Sequence, residues 1–235
     1  DSLLVGDRNA LIIALRAASY GNDYETGVAC PSCSSKVQYS FDLESANTYS
    51  GEDISDMDIA SNDGSLLKFY NSNIIKCGID PILNKYIDEY KDVKFKISSF
   101  FSSNKINSYA KKKKFKIITA LSVFYDAADP NKFLKDIKKL LHIKGICLLE
   151  FADLASIIKY KMFDTICHEH LEYYSSKVII NLVKKNDLRV FDIKQNFING
   201  SSKQYYICHR NSKIKSNSKI IKKTLMSESK LKLNT

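Results

Sequence analysis

At 235 residues the chain can bury one full core and carry a small appendage. Its 44% hydrophobic and 26% charged residues suit a globular protein, and no apolar run nears the roughly 20 residues that span a bilayer, so no membrane partner is expected. The formal charge of +10 rests on dispersed lysines that match no nucleic-acid reader motif, which leaves solvated lysine faces or attraction for a diphosphate-bearing ligand.

Residues 9–19, NALIIALRAAS, carry apolar side chains at helical spacing, with Asp7 or Asn9 as a cap and Gly21 beyond the end. A turn, a short strand, a knuckle and a second strand follow. Alternation of Val37, Tyr39 and Phe41 marks the second as half-exposed. Cys30-Pro-Ser-Cys33 is half of a zinc ribbon. Structural zinc needs four ligands, no second close pair is present, and Cys77 joins only by reaching across from another domain. The other cysteines are scattered and the N-terminus lacks a basic-then-apolar leader, which predicts a reducing, cytoplasmic setting. Residues 45–56, SANTYSGEDISD, are polar and turn-rich, as a linker is.

The main domain declares itself at residues 57–70, MDIASNDGSLLKFY. A short strand ends at Asp58-Ile59-Ala60, and a tight Ser61-Asn62-Asp63-Gly64 turn opens a helix near Ser65. This reads as the first βα turn of a doubly wound sheet, with Gly64 permitting close backbone approach to a ligand. Ser55 and Asp56 interrupt the expected apolar strand. A second strand, IIKCGIDP (74–81), ends in Asp80 and Pro81, where an acidic residue can accept both hydroxyls of an adenosine ribose. KFKIS (94–98) is a third strand, and FKIITAL (115–121), led in by four lysines, is a buried fourth. DAADPNKFLKDIKKLLHIKG reads as a helix started by Asp129-Pro130 and ended by Gly145, with Phe133, Ile137, Leu140 and Leu141 inward and His142 in its last turn at the surface. ICLLEF (146–151) is the fifth strand.

Residues 163–175, FDTICHEHLEYYS, hold two histidines, two glutamates, a cysteine, a threonine and two tyrosines among the apolar anchors Phe163, Ile166 and Leu171. Such density on a half-buried element suits a reaction centre. It also suits a polar helix start capped by Asp164 or Thr165. A metal pair of His168 and His170 would require an extended segment. Beyond it, SSKVIINLVKKN is a helix, and LRVFDIKQ (188–195) and QYYICHR (204–210) are strands joined through Asn199-Gly200-Ser201-Ser202. After His209 the composition turns to Ser, Lys and Asn without a visible core.

FDTICHEHLEYYS resembles the signature of S-adenosylmethionine-dependent C-methyltransferases that act on nucleotide-linked keto-sugars, over residues 56–235. The resemblance implies a class I fold, S-adenosyl-L-methionine as cofactor, and methylation of a carbon α to the ketone of a nucleotide-linked deoxysugar. It makes His170 the base, gives Glu169 the imidazole or a sugar hydroxyl to hold, and leaves His168 structural. It implies cofactor contacts at Asp58, Ala60, Ser61, Asn62, Asp63, Gly64, Asp80 and Pro81, with Ala120, Leu121 and Ser122 facing the methyl donor. Some members carry tyrosine in place of Cys167, so the substrate-facing hydroxyl is either missing or supplied by Tyr173 or Tyr174. The turn at Asn199, Gly200 and Ser201 resembles one that lies against the sugar, and it equally reads as a plain hairpin turn.

The run VGDRNALIIALRAASYGNDYE followed by CPSC is similar to baseplate-hub assembly proteins of T-even-like phages. CPSC followed by FDL also resembles the zinc module of sugar C-methyltransferases, which normally has two cysteine pairs. Together these imply a helix-plus-knuckle module over 1–50, with Cys30 and Cys33 as zinc ligands and phage baseplate proteins as partners, fused near 45–56 to a seven-stranded Rossmann-like α/β domain over 56–210. Residues 211–235 are then a lysine- and serine-rich linker. Two rivals are a non-catalytic phage assembly protein and a truncated, inactive methyltransferase.

Overall fold

The computed structural model describes residues 23–29, 36–42 and 55–233. The chain divides into two compact units, Asp1–Glu52 and Asp53–Thr235. In the first, β1 (Asp23–Ala29) and β2 (Lys36–Asp42) pair antiparallel, with Val28 opposite Val37 and Glu25 opposite Ser40. The alternating Val37, Tyr39 and Phe41 all fall on β2, as their period of two predicts. The helix expected over 9–19 and the Cys30–Cys33 knuckle lie outside the described residues.

The second unit is built on seven strands: β3 (Ser55–Ile59), β4 (Ile75–Ile79), β5 (Phe95–Ile97), β6 (Phe115–Leu121), β7 (Leu141–Ala152), β8 (Leu188–Asn196) and β9 (Ser202–His209). Their order across the sheet is β5-β4-β3-β6-β7-β9-β8. The first five are parallel, and β9 inserts antiparallel between β7 and β8. Among the described residues five α-helices lie between strands, α1 (Ser65–Lys68), α2 (Ser103–Ala110), α3 (Pro130–Leu140), α4 (Leu154–Tyr160) and α5 (Ser176–Lys185), and α6 (Ser218–Ser229) follows β9. Strand order reverses between β3 and β6, so their carboxyl ends flank the crevice where doubly wound sheets bind ligands. The predicted seven-stranded, Rossmann-like α/β sheet is therefore what the chain forms.

Burial explains the arrangement. Met57, Ile59, Cys77, Ile79, Ile97, Ile118 and Ala120 pack with Ile106 of α2 and Leu134, Ile137 and Leu140 of α3 in one core. A smaller cluster of Leu67, Leu83, Tyr90 and Val93 is separate from it. Helix starts are capped as their sequences dictate: Ser102 accepts from Lys105 N–H at 3.3 Å, Asp129 from Lys132 N–H at 2.9 Å, and Ser175 from Val178 N–H at 3.4 Å.

Three expectations are corrected. Ser55 and Asp56 do not interrupt β3 but are its first two residues, fully buried, with Ser55 Oγ donating to the Lys114 carbonyl at 2.7 Å. Gly145 does not end α3. The helix stops at Leu140 because Leu141 pairs with Phe115 and turns extended, which puts His142 and Gly145 in β7. Gly145 instead lets two strands approach: a Cβ there would sit 2.9 Å from the carbonyl oxygens of Phe115 and Lys116. Finally, residues 211–235 contain α6, whose Glu228 is completely buried; the charge that looked like a solvated linker anchors the helix.

Candidate functional site

The turn after β3 is a strained, heavily bonded corner. Ala60, Asn62 and Gly64 all have positive φ, at 59°, 49° and 74°. Ala60 N–H donates to the Ile79 carbonyl at 2.9 Å and Gly64 N–H to that of Ser61 at 2.7 Å. Asp80 fastens this corner to the end of β4. Its two carboxylate oxygens accept from Asn62 N–H at 3.0 Å and Ile82 N–H at 2.8 Å. The Tyr90 hydroxyl reaches Ser61 Oγ at 2.9 Å and the Asn62 carbonyl at 2.8 Å. Asp63 bonds Ser65 through its backbone N–H and its hydroxyl. Gly64 faces the Tyr90 ring, where a Cβ would lie 3.0 Å from two ring carbons.

Asp58 points into the protein. Its carboxyl accepts from Thr119 Oγ1 at 2.6 Å, and burial pushes it up to about 7, against the lowering effect of that bond and helped by the Asp80 charge. Asp56 is also buried, and no hydrogen bond reaches either of its oxygens. Burial raises it to about 6.

At the carboxyl ends of β3 to β6 lies a cavity of about 550 Å³. Ala60 and Pro81 line it, joined by Phe133, expected as an inward helix residue, and by Phe100, Phe101 and Val123, which no motif marks. Their signal was positional: 99–101 follow a strand at the same sheet edge as the turn after β3. A mostly apolar wall beside Asp80 suits a nucleoside. Of the residues at the end of β6, Ala120 is in the core, Leu121 is half-buried, and Ser122 turns the chain at φ 53° while its N–H donates to the Glu150 carbonyl at 2.7 Å.

Residues 163–175 form an irregular loop rather than a half-buried helix. Phe163, Ile166 and Leu171, expected as anchors, are 74%, 62% and 55% exposed. A turn closed by His170 N–H on the Cys167 carbonyl at 3.3 Å leaves Cys167, His168 and Glu169 exposed and His170 half-buried. His168 and His170 thus occupy a turn, without the extended backbone a shared face requires. The His170 ring lies against Tyr125, centroids 4.2 Å apart. Its Nδ1 is 2.8 Å from the Thr165 carbonyl oxygen, which can only accept. Nδ1 therefore carries a proton, and in the neutral ring the lone pair is on Nε2. The Tyr173 hydroxyl also donates to Thr165 at 3.2 Å and receives Cys167 N–H at 3.3 Å, so it is occupied within the loop. Tyr174 is buried between Phe124 and Phe151.

In the β8–β9 turn, Gly200 has φ 81° and abuts Met162, where a Cβ would fall 2.5 Å from the methyl carbon. Asn199 belongs to the same turn. Ser201 is turned inward, accepting from Gln195 Nε2 at 2.7 Å and Ser156 Oγ at 3.0 Å. Below it, Lys203 is ion-paired with Asp153 at 2.8 Å and with Glu228, all three buried. Cys77, Cys147 and Cys208 are buried free thiols. Cys77 sits buried in the sheet core, where burial pushes its thiol up to about 12; Cys30 and Cys33 lie outside the described residues. Among the described residues no group of three or more His, Cys, Asp or Glu side chains could hold a metal ion, and no helix is long and apolar enough to cross a membrane.

A family model described as T4 bacteriophage base plate protein matches residues 1–144. The chain belongs to that family. The match does not stop at the expected join but continues from β3 into β7. A curated relative, the C-methyltransferase NovU of Streptomyces niveus, is 29% identical over 87 residues, or 37% of this chain. The chain spans about a fifth (21%) of that relative's length. Among solved structures, the mitomycin 7-O-methyltransferase MmcR aligns with a TM-score of 0.52 at 15% identity, covering 67% of this chain and 49% of that one. The plantazolicin methyltransferase BamL, solved with SAH, gives 0.52 at 14% identity over 68% of this chain and 78% of that one. An S-adenosylmethionine-dependent methyltransferase from Clostridium acetobutylicum gives 0.50 at 13%, covering 66% and 84%. These establish the Rossmann-like fold shared with such methyltransferases.

Proposed function

We propose that Asp53–Thr235 is the core of an S-adenosylmethionine-dependent C-methyltransferase that acts on a carbon α to the ketone of a nucleotide-linked deoxysugar. The observation that carries this reading is the setting of His170: its Nδ1 is committed to the Thr165 carbonyl at 2.8 Å and its ring lies against Tyr125, after β6, which leaves Nε2 as the nitrogen for a substrate. That is a general base ready to take a carbon-bound proton.

The residues present fit the cofactor. Asp80 has acceptor capacity left for ribose hydroxyls after its two backbone bonds, and Ala60, Pro81, Phe100 and Phe101 offer an apolar wall to an adenine ring. When bound, S-adenosylmethionine supplies an electrophilic methyl group. In this reading Ser122, Leu121 and the turn after them form the adjoining edge, and Glu169, exposed on the same turn as His170, holds a sugar hydroxyl or orients the imidazole. Calorimetry with S-adenosylmethionine tests the first half of the reading. Solvent-deuterium exchange at the sugar's α carbon, run without methyl donor, tests the second. His170→Gln should cut that exchange by about 10² to 10⁴ while leaving cofactor affinity intact. Exchange at the wild-type rate would assign the base elsewhere.

The family match supports a second role, in which residues 1–50 engage baseplate proteins. The two roles are compatible if the N-terminal module is independent. Deleting 1–50 should then leave S-adenosylmethionine affinity unchanged; a folded deletion that no longer binds would make the module part of the enzyme. Zinc at Cys30 and Cys33 is a matter for metal analysis of that module.

A further inference from the structure

We propose that Tyr125, which follows β6, is a positioning residue for His170: its ring fixes the imidazole so that Nδ1 faces Thr165 and Nε2 faces the substrate. The inference rests on His170 being the base proposed above.

The geometry comes from three contacts. The ring centroids lie 4.2 Å apart with planes at 47°, so Tyr125 covers one side of the imidazole and opposes its rotation. The Tyr125 carbonyl accepts Glu172 N–H at 3.2 Å, which ties the histidine loop to the end of β6 through the same residue. The Tyr125 ring is in turn set edge-on against Phe151 of β7, at 6.4 Å and 87°. A rigid strand thereby reaches an otherwise exposed loop. Among the described residues, Tyr173, edge-on at 6.2 Å, is the one other aromatic neighbour of His170. An imidazole held only by the Thr165 bond would be free to flip and lose its tautomer; packing is what keeps a functional side chain in one geometry.

The placement also links both halves of the site. Ser122, the residue expected near the methyl donor, precedes Tyr125 by three positions in the turn after β6, so one short segment reaches from the donor edge to the base. The charged and titratable groups around this contact are Asp126 on the same turn, Glu169 and Cys167 on the loop, and Tyr173. Nothing in SVFYDAAD distinguishes Tyr125 from a core aromatic.

The test uses the full chain with ¹⁵N-labelled histidine, resonances assigned by His170→Gln. In wild type and Tyr125→Phe, the ring nitrogen shifts of neutral His170 should report the Nδ1–H tautomer alone, and α-carbon exchange should agree within about threefold. In Tyr125→Leu the shifts should move to a tautomer mixture and exchange should fall at least tenfold, with S-adenosylmethionine affinity unchanged. If Tyr125→Leu does not fold, Tyr125→Met fills the volume without a flat face and carries the same test. A folded leucine or methionine variant that keeps the pure Nδ1–H signature overturns the proposal. Tautomer loss in a protein whose wild type shows no exchange would leave Tyr125 positioning His170 and remove the methyltransferase reading instead.

Discussion

Thr119 Oγ1 donates a 2.6 Å hydrogen bond to Asp58 Oδ1 across the central pair of strands, inside the protein. The carboxyl has a value of about 7 there against an ordinary 3.8, so this group favours the folded state at low pH and opposes it as pH rises. Thr119→Val removes the bond and leaves a buried acceptor unpaired, at a cost of about 1–3 kcal/mol. Urea unfolding should show a larger loss at pH 8.5 than at pH 5.5, because the deprotonated form needs the donor most.

Asp56 has no such partner. Its folded value is raised from 3.8 to about 6, so the penalty is absent below pH 4, grows between pH 4 and 6, and is complete above. Asp56→Val should therefore stabilise the protein by about 1–3 kcal/mol at pH 8 and by little at pH 4. A variant less stable at both values would show that Asp56 has a partner in solution.

Lys203 is the reverse case, a buried cation with two buried counter-charges in Asp153 and Glu228. Glu228→Gln leaves the sheet's inserted strand with a weakened partner, and removing one member of a buried pair costs about 3–5 kcal/mol. The double variant Lys203→Met/Glu228→Leu should recover most of that loss, as measured by chemical denaturation.

Gly64→Ala places a Cβ 3.0 Å from the Tyr90 ring at a φ of 74°. The strain is about 1–3 kcal/mol, and it displaces the tyrosine whose hydroxyl holds Ser61 and Asn62. Thermal stability and S-adenosylmethionine affinity should fall together. Lost affinity at full stability would mean that the ligand, not Tyr90, packs against this position.

What the chain order made readable was local. FKIITAL is bounded by lysines on one side and a polar turn on the other, and β6 has those bounds, Phe115–Leu121. Asp129-Pro130 starts α3 because a capping side chain and a preset φ act within one turn. Pairings across the chain were not readable. The continuing apolar period in LLHI hid the switch to strand at Leu141, which Phe115 enforces from the neighbouring strand. The apolar residues of 163–175 promised burial, yet Tyr174, offered as a substrate contact, is the one driven into the core, by Phe124 and Phe151. The cavity wall at Phe100 and Phe101 and the Tyr125–His170 contact depend on which strands become neighbours, and no window of sequence contains that.

The strand inserted between β7 and β8 depends on a segment that follows it in the chain. β9 must slide between β7 and β8, and its Lys203 is synthesised 25 residues before Glu228. Without α6 the lysine would keep Asp153 as its counter-charge and the Ser176 hydroxyl as a further partner, and the middle of the strand would carry a poorly matched charge. Burial of the inserted strand therefore depends on a helix that is not part of the sheet, so cutting the chain between β9 and α6 should loosen the edge formed by β8 and β9.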